Sequence, residues 1–360
     1  MQPALTNQLN NAFTLFLSLL VEAIPFLLLG VLFSGLLLGF IDDRKLIARI
    51  PRNPLLGALA GSLIGFLFPV CECGNVPVAR RLLMQGVPPP VAIGFLLAAP
   101  TINPVVIWAT WTAFRDQPEI VVLRVVFSLV TATIIGWVFS AQKDLRPLLQ
   151  PSVARAIPLP KPELSQKELL LKAETPSLLQ SGTFMLGMPG GAVPIESLLQ
   201  NDWKPLQTDK TAKSSKPSSM FHRVSKERLH LLLDSVVQEL RELGGVLVIG
   251  SAIAAIIQVG TPRELILNLG QGPVSSILAM LLLAALVSIC STVDAFFALS
   301  FAATFTSGSL LAFLVFGPMF DLKGIGLMLS IFRGRAIIYL MVLAAQLTFL
   351  MTLAVNLYLG

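Results

Sequence analysis

Long apolar runs constrain this chain more than any other feature of its sequence. They lie at 12–40, 54–70, 88–113, 119–140, 233–258, 274–290, 309–320 and 334–359. Most approach the roughly 20 residues that a helix needs to cross about 30 Å of hydrocarbon. At that depth no water satisfies a backbone N–H or C=O, so runs of this length read as helices. Charged residues make up 13% of the chain and hydrophobic ones 54%, where a soluble domain carries about 25% charge. The expected fold class is an all-α polytopic membrane protein. Stretches 74–86 and 293–307 are shorter and interrupted. The first run is too long for a signal-peptide core and has no basic residue before it, so it reads as a retained span.

The formal charge of +6 brings nucleic acid to mind, but the basic residues lie between spans or in a central linker, and no nucleic-acid motif accompanies them. No GxxxxGK[ST] phosphate loop is present, so no ATPase of its own is read here, and no cofactor is expected. The polar interval 141–228 divides the chain into a first membrane repeat, 1–140, and a second, 229–360. Its prolines (Pro147, Pro151, Pro158, Pro160, Pro162), its turn at Met188-Pro189-Gly190-Gly191 and its lysines mark a largely flexible hydrophilic linker with a short amphipathic helix around 163–174. A partner-binding role for the linker stays open.

Basic residues also set orientation, because cytoplasmic loops are enriched in them. Arg44, Lys45, Arg49 and Arg52 fill loop 41–53, and Lys323, Arg333 and Arg335 precede the last span, whereas the two ends of the chain carry none. With the basic loops and the linker cytoplasmic, both termini lie outside a cell membrane crossed many times. Each half then crosses an odd number of times, about five, which makes the two halves inverted-topology repeats.

The halves match in detail. Glu22 through Gly30 lies over Glu242 through Gly250, Pro54 over Pro273, and Cys71 over Cys290. Helix-breaking residues match too: Pro69 and Gly74 to Pro77, then Pro100, Asn103 and Pro104, correspond to Ser288 to Asp294, then Gly317-Pro318 to Asp321. Paired broken helices near the midplane are where secondary transporters bind substrate, although proline kinks alone are common in membrane helices.

All three cysteines fall in or beside apolar segments. Three thiols cannot form a paired disulfide framework. Cys71 and Cys73 point to different faces of a regular helix and converge only if the backbone unwinds, with Cys290 supplying a third sulfur from the matching break. Thiolates favour soft or borderline centres, so the three cysteines are candidate metal or metalloid ligands. The bland alternative treats them as small buried apolar residues. Glu22, Glu72, Arg80, Arg81, Glu242 and Asp294 read as ionisable groups inside apolar stretches, and such groups usually face a cavity or a partner. Glu72 and Asp294 sit in the central breaks and are the candidates for proton or cation coupling. Glu22 and Glu242 fit structural pairing, for example with Arg80 or Arg81, as well as coupling. Asn75 and Asn103 could offer oxygens to a substrate or simply satisfy the broken backbone.

The run Pro69-Val70-Cys71-Glu72-Cys73-Gly74-Asn75-Val76-Pro77, followed by Gly86 and by Gly94 through Pro104, resembles the predicted-permease family that includes the ArsP-like organoarsenical efflux permeases, with related members linked to copper or zinc export. The resemblance covers roughly 12–140 and 229–358. It implies a multispanning permease whose paired cysteines, Cys71 and Cys73 here, handle soft substrates such as trivalent methylarsenicals. The linker here is long and basic, and the chain's two histidines, His222 and His230, form no metal-binding tract.

The expectation is therefore a secondary permease, not an enzyme, that exports a thiophilic solute or soft metal ion by alternating access. Its cavity would be lined by Cys71, Cys73, Cys290, Glu72, Asn75, Asn103 and Asp294. Its partners are the lipid bilayer and that solute, and self-association into a homo-oligomer stays open. Two alternatives compete: a membrane-embedded thiol redox or sulfur-transfer protein, and a channel or structural subunit of a complex.

Overall fold

The computed structural model describes residues 2–40, 51, 53–68, 71–141, 146–156, 226–260 and 272–358. Apart from an isolated bridge between Leu149 and Phe332, regular structure among these residues is helical. The first half holds α1 (Gln2–Phe40), α2 (Pro54–Gly65), α3 (Glu72–Met84), α4 (Pro89–Ile102), α5 (Pro104–Ala113) and α6 (Pro118–Ser140). A short helix, α7 (Pro151–Ala156), follows. The second half holds α8 (Lys226–Gly260), α9 (Pro273–Leu286), α10 (Asp294–Leu299), α11 (Ser307–Phe316), α12 (Leu322–Met328) and α13 (Gly334–Tyr358).

Prolines set many of the starts. Helices α2, α4, α5, α6 and α9 each begin at one, where the missing N–H costs nothing because the first turn has no partner for it. Five segments among the described residues are long and apolar enough to cross a bilayer: Asn7–Leu36, Pro89–Ala113, Pro118–Ser140, Leu233–Gly260 and Gly334–Tyr358. The apolar stretches at 54–70, 274–290 and 309–320 yield helices of only 12, 14 and 10 residues. Each is shorter than a span because the chain leaves helical geometry before the apolar run ends, at Phe66 to Phe68, at Val287 and at Gly317.

Small residues set the packing of the first half. Gly57, Gly61 and Gly65 line one side of α2, and a Cβ at Gly61 would collide with the Val91 carbonyl of α4, while one at Gly65 would lie 2.8 Å from Ala99 Cα. Without those side chains, the two backbones meet almost directly, which is how membrane helices gain dispersion energy where no hydrophobic effect separates them from lipid. Helices α2, α4 and α6 all touch one another, and α9, α11 and α13 repeat the same three contacts. Between the halves, α1 packs along α8, α3 touches α12, and α10 touches α5. The helix that follows each cysteine thus meets the helix that follows the second break of the opposite half. Helices α1 and α8 depart from this reciprocity: α1 lies on α3, and α8 on α12.

The start of the polar interval is ordered. Gln150 N–H donates to the Ile331 carbonyl at 2.8 Å and Arg333 N–H to the Leu148 carbonyl at 2.8 Å, while α7 rests against α3. The chain just after the first repeat is therefore tied to the loop before α13. The helix expected around 163–174 and the Gly-rich turn at 188–191 lie outside the described residues, as do most of the basic loop 41–53 and Pro69.

Candidate functional site

The two matching cysteines are held in the same way. Cys71 is extended, with φ −79° and ψ −178°, and caps α3. Its carbonyl accepts from the N–H groups of Gly74 at 3.1 Å and Asn75 at 3.2 Å. The Cys290 carbonyl accepts from Val293 at 2.9 Å and Asp294 at 3.1 Å, the corresponding pair of donors. In both halves the chain turns from the cysteine into a short helix, and the cysteine's carbonyl accepts from N–H groups three and four residues on.

This local unwinding brings the sulfurs together. One ligand atom from each of Cys71, Glu72 and Cys73 lies within 4.8 Å of the others, and all three residues are buried. Cys290 interacts electrostatically with Cys71 across the halves but stands outside that group of three, and none of the three cysteines is in a disulfide. The Thr292 hydroxyl lies 3.4 Å from the Cys290 sulfur. Gly30 of α1 makes room for the arrangement, because a Cβ there would strike the Gly74 backbone. At the far end of α3, Gly86 takes φ 85°, a left-handed conformation that suits glycine and closes the helix before α4 begins.

Two buried ion pairs cross between the halves here. The Lys323 ammonium on α12 lies 3.0 Å from Glu72 Oε1, with side chains 1% and 5% exposed. Cys73 Sγ approaches the same Oε1 at 4.0 Å. The second pair joins Arg124 on α6 to Asp294 on α10 through a two-pronged contact at 3.1 and 2.5 Å, and Arg124 also donates to the Thr110 hydroxyl at 2.7 Å. A guanidinium fork on a carboxylate is among the strongest charge-assisted arrangements. Each acid that follows a matching cysteine is thereby neutralised by a base from the other half.

Asn103 and Asp321 occupy the matching second breaks and perform one task. Asn103 Oδ1 accepts from Val106 N–H at 2.8 Å and Asp321 Oδ1 from Gly324 N–H at 2.6 Å, so each caps the helix after its break. The second option for Asn103, satisfying broken backbone, is what its geometry supplies. Asn75 differs: it is buried, and neither atom of its amide has a hydrogen-bond partner among the described residues. Glu72 Oε2, Asp321 Oδ2 and the Ser291 hydroxyl are likewise buried without a partner. Buried polar atoms are rarely left so.

Sequence reasoning missed two members of the network. Arg124 stands inside the apolar run 119–140 and Glu239 inside 233–258, yet neither was counted among the ionisable groups of the spans; a charge within an apolar run was the signal that could have found both. Glu239 accepts from the Ser34 hydroxyl at 3.0 Å. Lys323 calls for a correction: expected among the basic residues that mark a cytoplasmic loop, it is buried on Glu72. Its carboxylate partner draws it inward, so it carries no information about topology. Arg80, unplaced by the sequence, lies on α3 and pairs with Glu242 at 2.9 Å, which realises the structural pairing considered for that acid.

Comparisons with known proteins agree over nearly the whole chain. Residues 8–357 match the sequence profile of a family described as predicted permease. The chain is 34% identical over 336 residues to UPF0718 protein YcgR of Bacillus subtilis, covering 92% of each protein. It is 30% identical over 324 residues to a putative two-component membrane permease complex subunit of Streptococcus mutans, covering 90% of this chain and 88% of that one. No solved structure gives a significant match. A polytopic helical architecture and a match of this extent lead to one conclusion: the chain belongs to the predicted-permease family and is a multi-pass membrane protein with a transporter's role.

Proposed function

We propose that this permease exports a soft, thiol-reactive solute, a trivalent organoarsenical or a soft metal ion, by alternating access, with Cys71, Cys73 and Cys290 as its ligands. The observation that carries this reading is the buried pair of thiols Cys71 and Cys73, gathered with Glu72 within 4.8 Å; Cys290, which interacts electrostatically with Cys71, is the candidate third ligand. Sulfur suits such solutes, and burial between halves suits a site that opens to one side at a time. Asn75, with its unpartnered amide, is the candidate for an additional solute contact. Glu72 and Asp294 are the coupling candidates, each held by a base of the opposite half. The reciprocal contacts of α3 with α12 and α10 with α5 favour the inverted-repeat reading, which puts both termini outside and the 141–228 interval in the cytoplasm.

Cells expressing the chain should accumulate less methylarsenite, or less of one soft metal, than cells without it. Cys71→Ser and Cys73→Ser should abolish that difference at equal protein level. Equal accumulation for every soft substrate tested would remove the proposed solute class, and full activity of the serine variants would reduce the thiols to packing.

A second reading has its own support in the name of the Streptococcus mutans relative, a subunit of a two-component permease complex. In this reading the chain works with a second membrane component. Affinity purification of the tagged full-length chain from its native membrane should then yield a stoichiometric companion.

A further inference from the structure

Beside the sulfurs lies a cation that the proposed export cycle leaves without a role. The Lys323 side chain is 1% exposed, its backbone N–H donates to the Ser288 hydroxyl at 3.4 Å, and its ammonium interacts electrostatically with Glu72, Asp321, Cys71 and Cys73. Gly324 leaves room for the Asp321 carboxylate, since a Cβ there would lie 2.5 Å from Asp321 Oδ1. Glu72 Oε1 touches both the ammonium at 3.0 Å and the Cys73 thiol at 4.0 Å.

We infer that Lys323 is the specificity-determining residue of this site: its ammonium stands where a metal ion on Cys71, Glu72 and Cys73 would need the carboxylate, so the site accepts uncharged trivalent thiophiles and rejects soft metal cations. The inference rests on the thiol-site reading above and narrows its solute class. Two thiols and a carboxylate within 4.8 Å of one another form a donor set that a borderline cation can use. A cation bound there would share Glu72 Oε1 with a like charge, in surroundings where water screens little. The unpartnered Asp321 Oδ2 and Glu72 Oε2 are the acidic oxygens that such a cation would gain once the ammonium was gone.

An uncharged arsenical meets no such obstacle. An arsine oxide, R–As=O, reacts with two thiols to form two As–S bonds; both S–H protons leave with the oxygen as water, and arsenic stays trivalent. The net charge of the site is unchanged by that step, so Lys323 is indifferent to it.

The test uses the purified full-length chain with two probes, phenylarsine oxide and Cd²⁺, read by protection of the cysteines from a thiol reagent and by equilibrium dialysis. Wild type should bind phenylarsine oxide and bind Cd²⁺ weakly. Lys323→Gln should bind Cd²⁺ at least about tenfold more tightly, because a like charge has been removed from a poorly screened site, with phenylarsine oxide binding retained. Lys323→Arg and the exchange E72K/K323E keep the positive charge and should stay at the wild-type level. The neutral replacement Lys323→Met should gain Cd²⁺ affinity as well, and retained phenylarsine oxide binding identifies a folded variant, so misfolding of one variant does not decide the matter. Wild-type Cd²⁺ binding as tight as that of Lys323→Gln, or an equal gain in Lys323→Arg, overturns the role of Lys323 while leaving the thiol site intact. Failure of wild type to bind phenylarsine oxide overturns the thiol-site reading and this inference with it.

Discussion

Arg124 and Asp294 are fully desolvated and bound to each other from opposite halves, so neither tolerates loss of the other. Removing one partner of a buried pair typically costs about 3–5 kcal/mol, because a bare charge stays behind, whereas removing both is often nearly neutral. Arg124→Met and Asp294→Asn should each lower the thermal midpoint of the detergent-purified protein, and the double variant should recover most of the loss. Additive losses would mean that the pair is not the stabilising unit. Asn75 predicts the opposite combination. Its amide has no hydrogen-bond partner among the described residues, so Asn75→Leu leaves no orphaned partner and should cost less than about 1 kcal/mol. Export should nevertheless fall in Asn75→Leu if the amide contacts the solute; a midpoint drop with unimpaired export would make Asn75 purely structural.

Among the helices, glycine divides into two kinds by what surrounds it. Gly61 on α2 faces the α4 backbone directly, while Gly244 on α8 has open space where a Cβ would go. Gly61→Ala forces two helices apart and should destabilise by about 1–3 kcal/mol, in the range of overpacked cores. Gly244→Ala should be neutral or stabilising by up to about 1 kcal/mol, since alanine is the better helix former. Parallel melting curves check both, and a Gly61→Ala protein as stable as wild type would contradict the close packing. The identity of these elements was legible in the sequence because apolar length and matched prolines report directly on spans and breaks. Their lengths were not: the stretch 274–290 looks uniformly apolar, yet the helix stops at Leu286. The turn that follows Cys290 is set by bonds from Val293 and Asp294 to its carbonyl, which hydropathy does not encode. Long-range pairing was equally hidden. Lys323 looks like a loop lysine until Glu72, far away in the chain, is folded against it.

For the molecule as a whole, the cysteine carbonyls, the caps at Asn103 and Asp321 and the three-helix contacts recur in both halves. The chemistry hung on that shared frame differs: Cys-Glu-Cys in the first half stands against Cys-Ser-Thr in the second. This asymmetry is legible in the sequence, whereas the electrostatic interaction of Cys71 with Cys290 is visible only once the halves are folded together. Mild oxidation of the Cys73→Ser protein should therefore join the halves by a Cys71–Cys290 disulfide. After proteolysis within 157–225, the two fragments should migrate together until reduced. Separate migration under all oxidising conditions would place the thiols out of reach.

One consequence follows from how the matched cysteines are held. It is the main-chain oxygen of Cys71 and of Cys290, not the sulfur, that fastens the turn into the next helix. The side chain is therefore an exchangeable tool in a fixed handle. An engineer could fit serine, histidine or methionine at either position and change what the permease grips while the turns that form the grip stay folded.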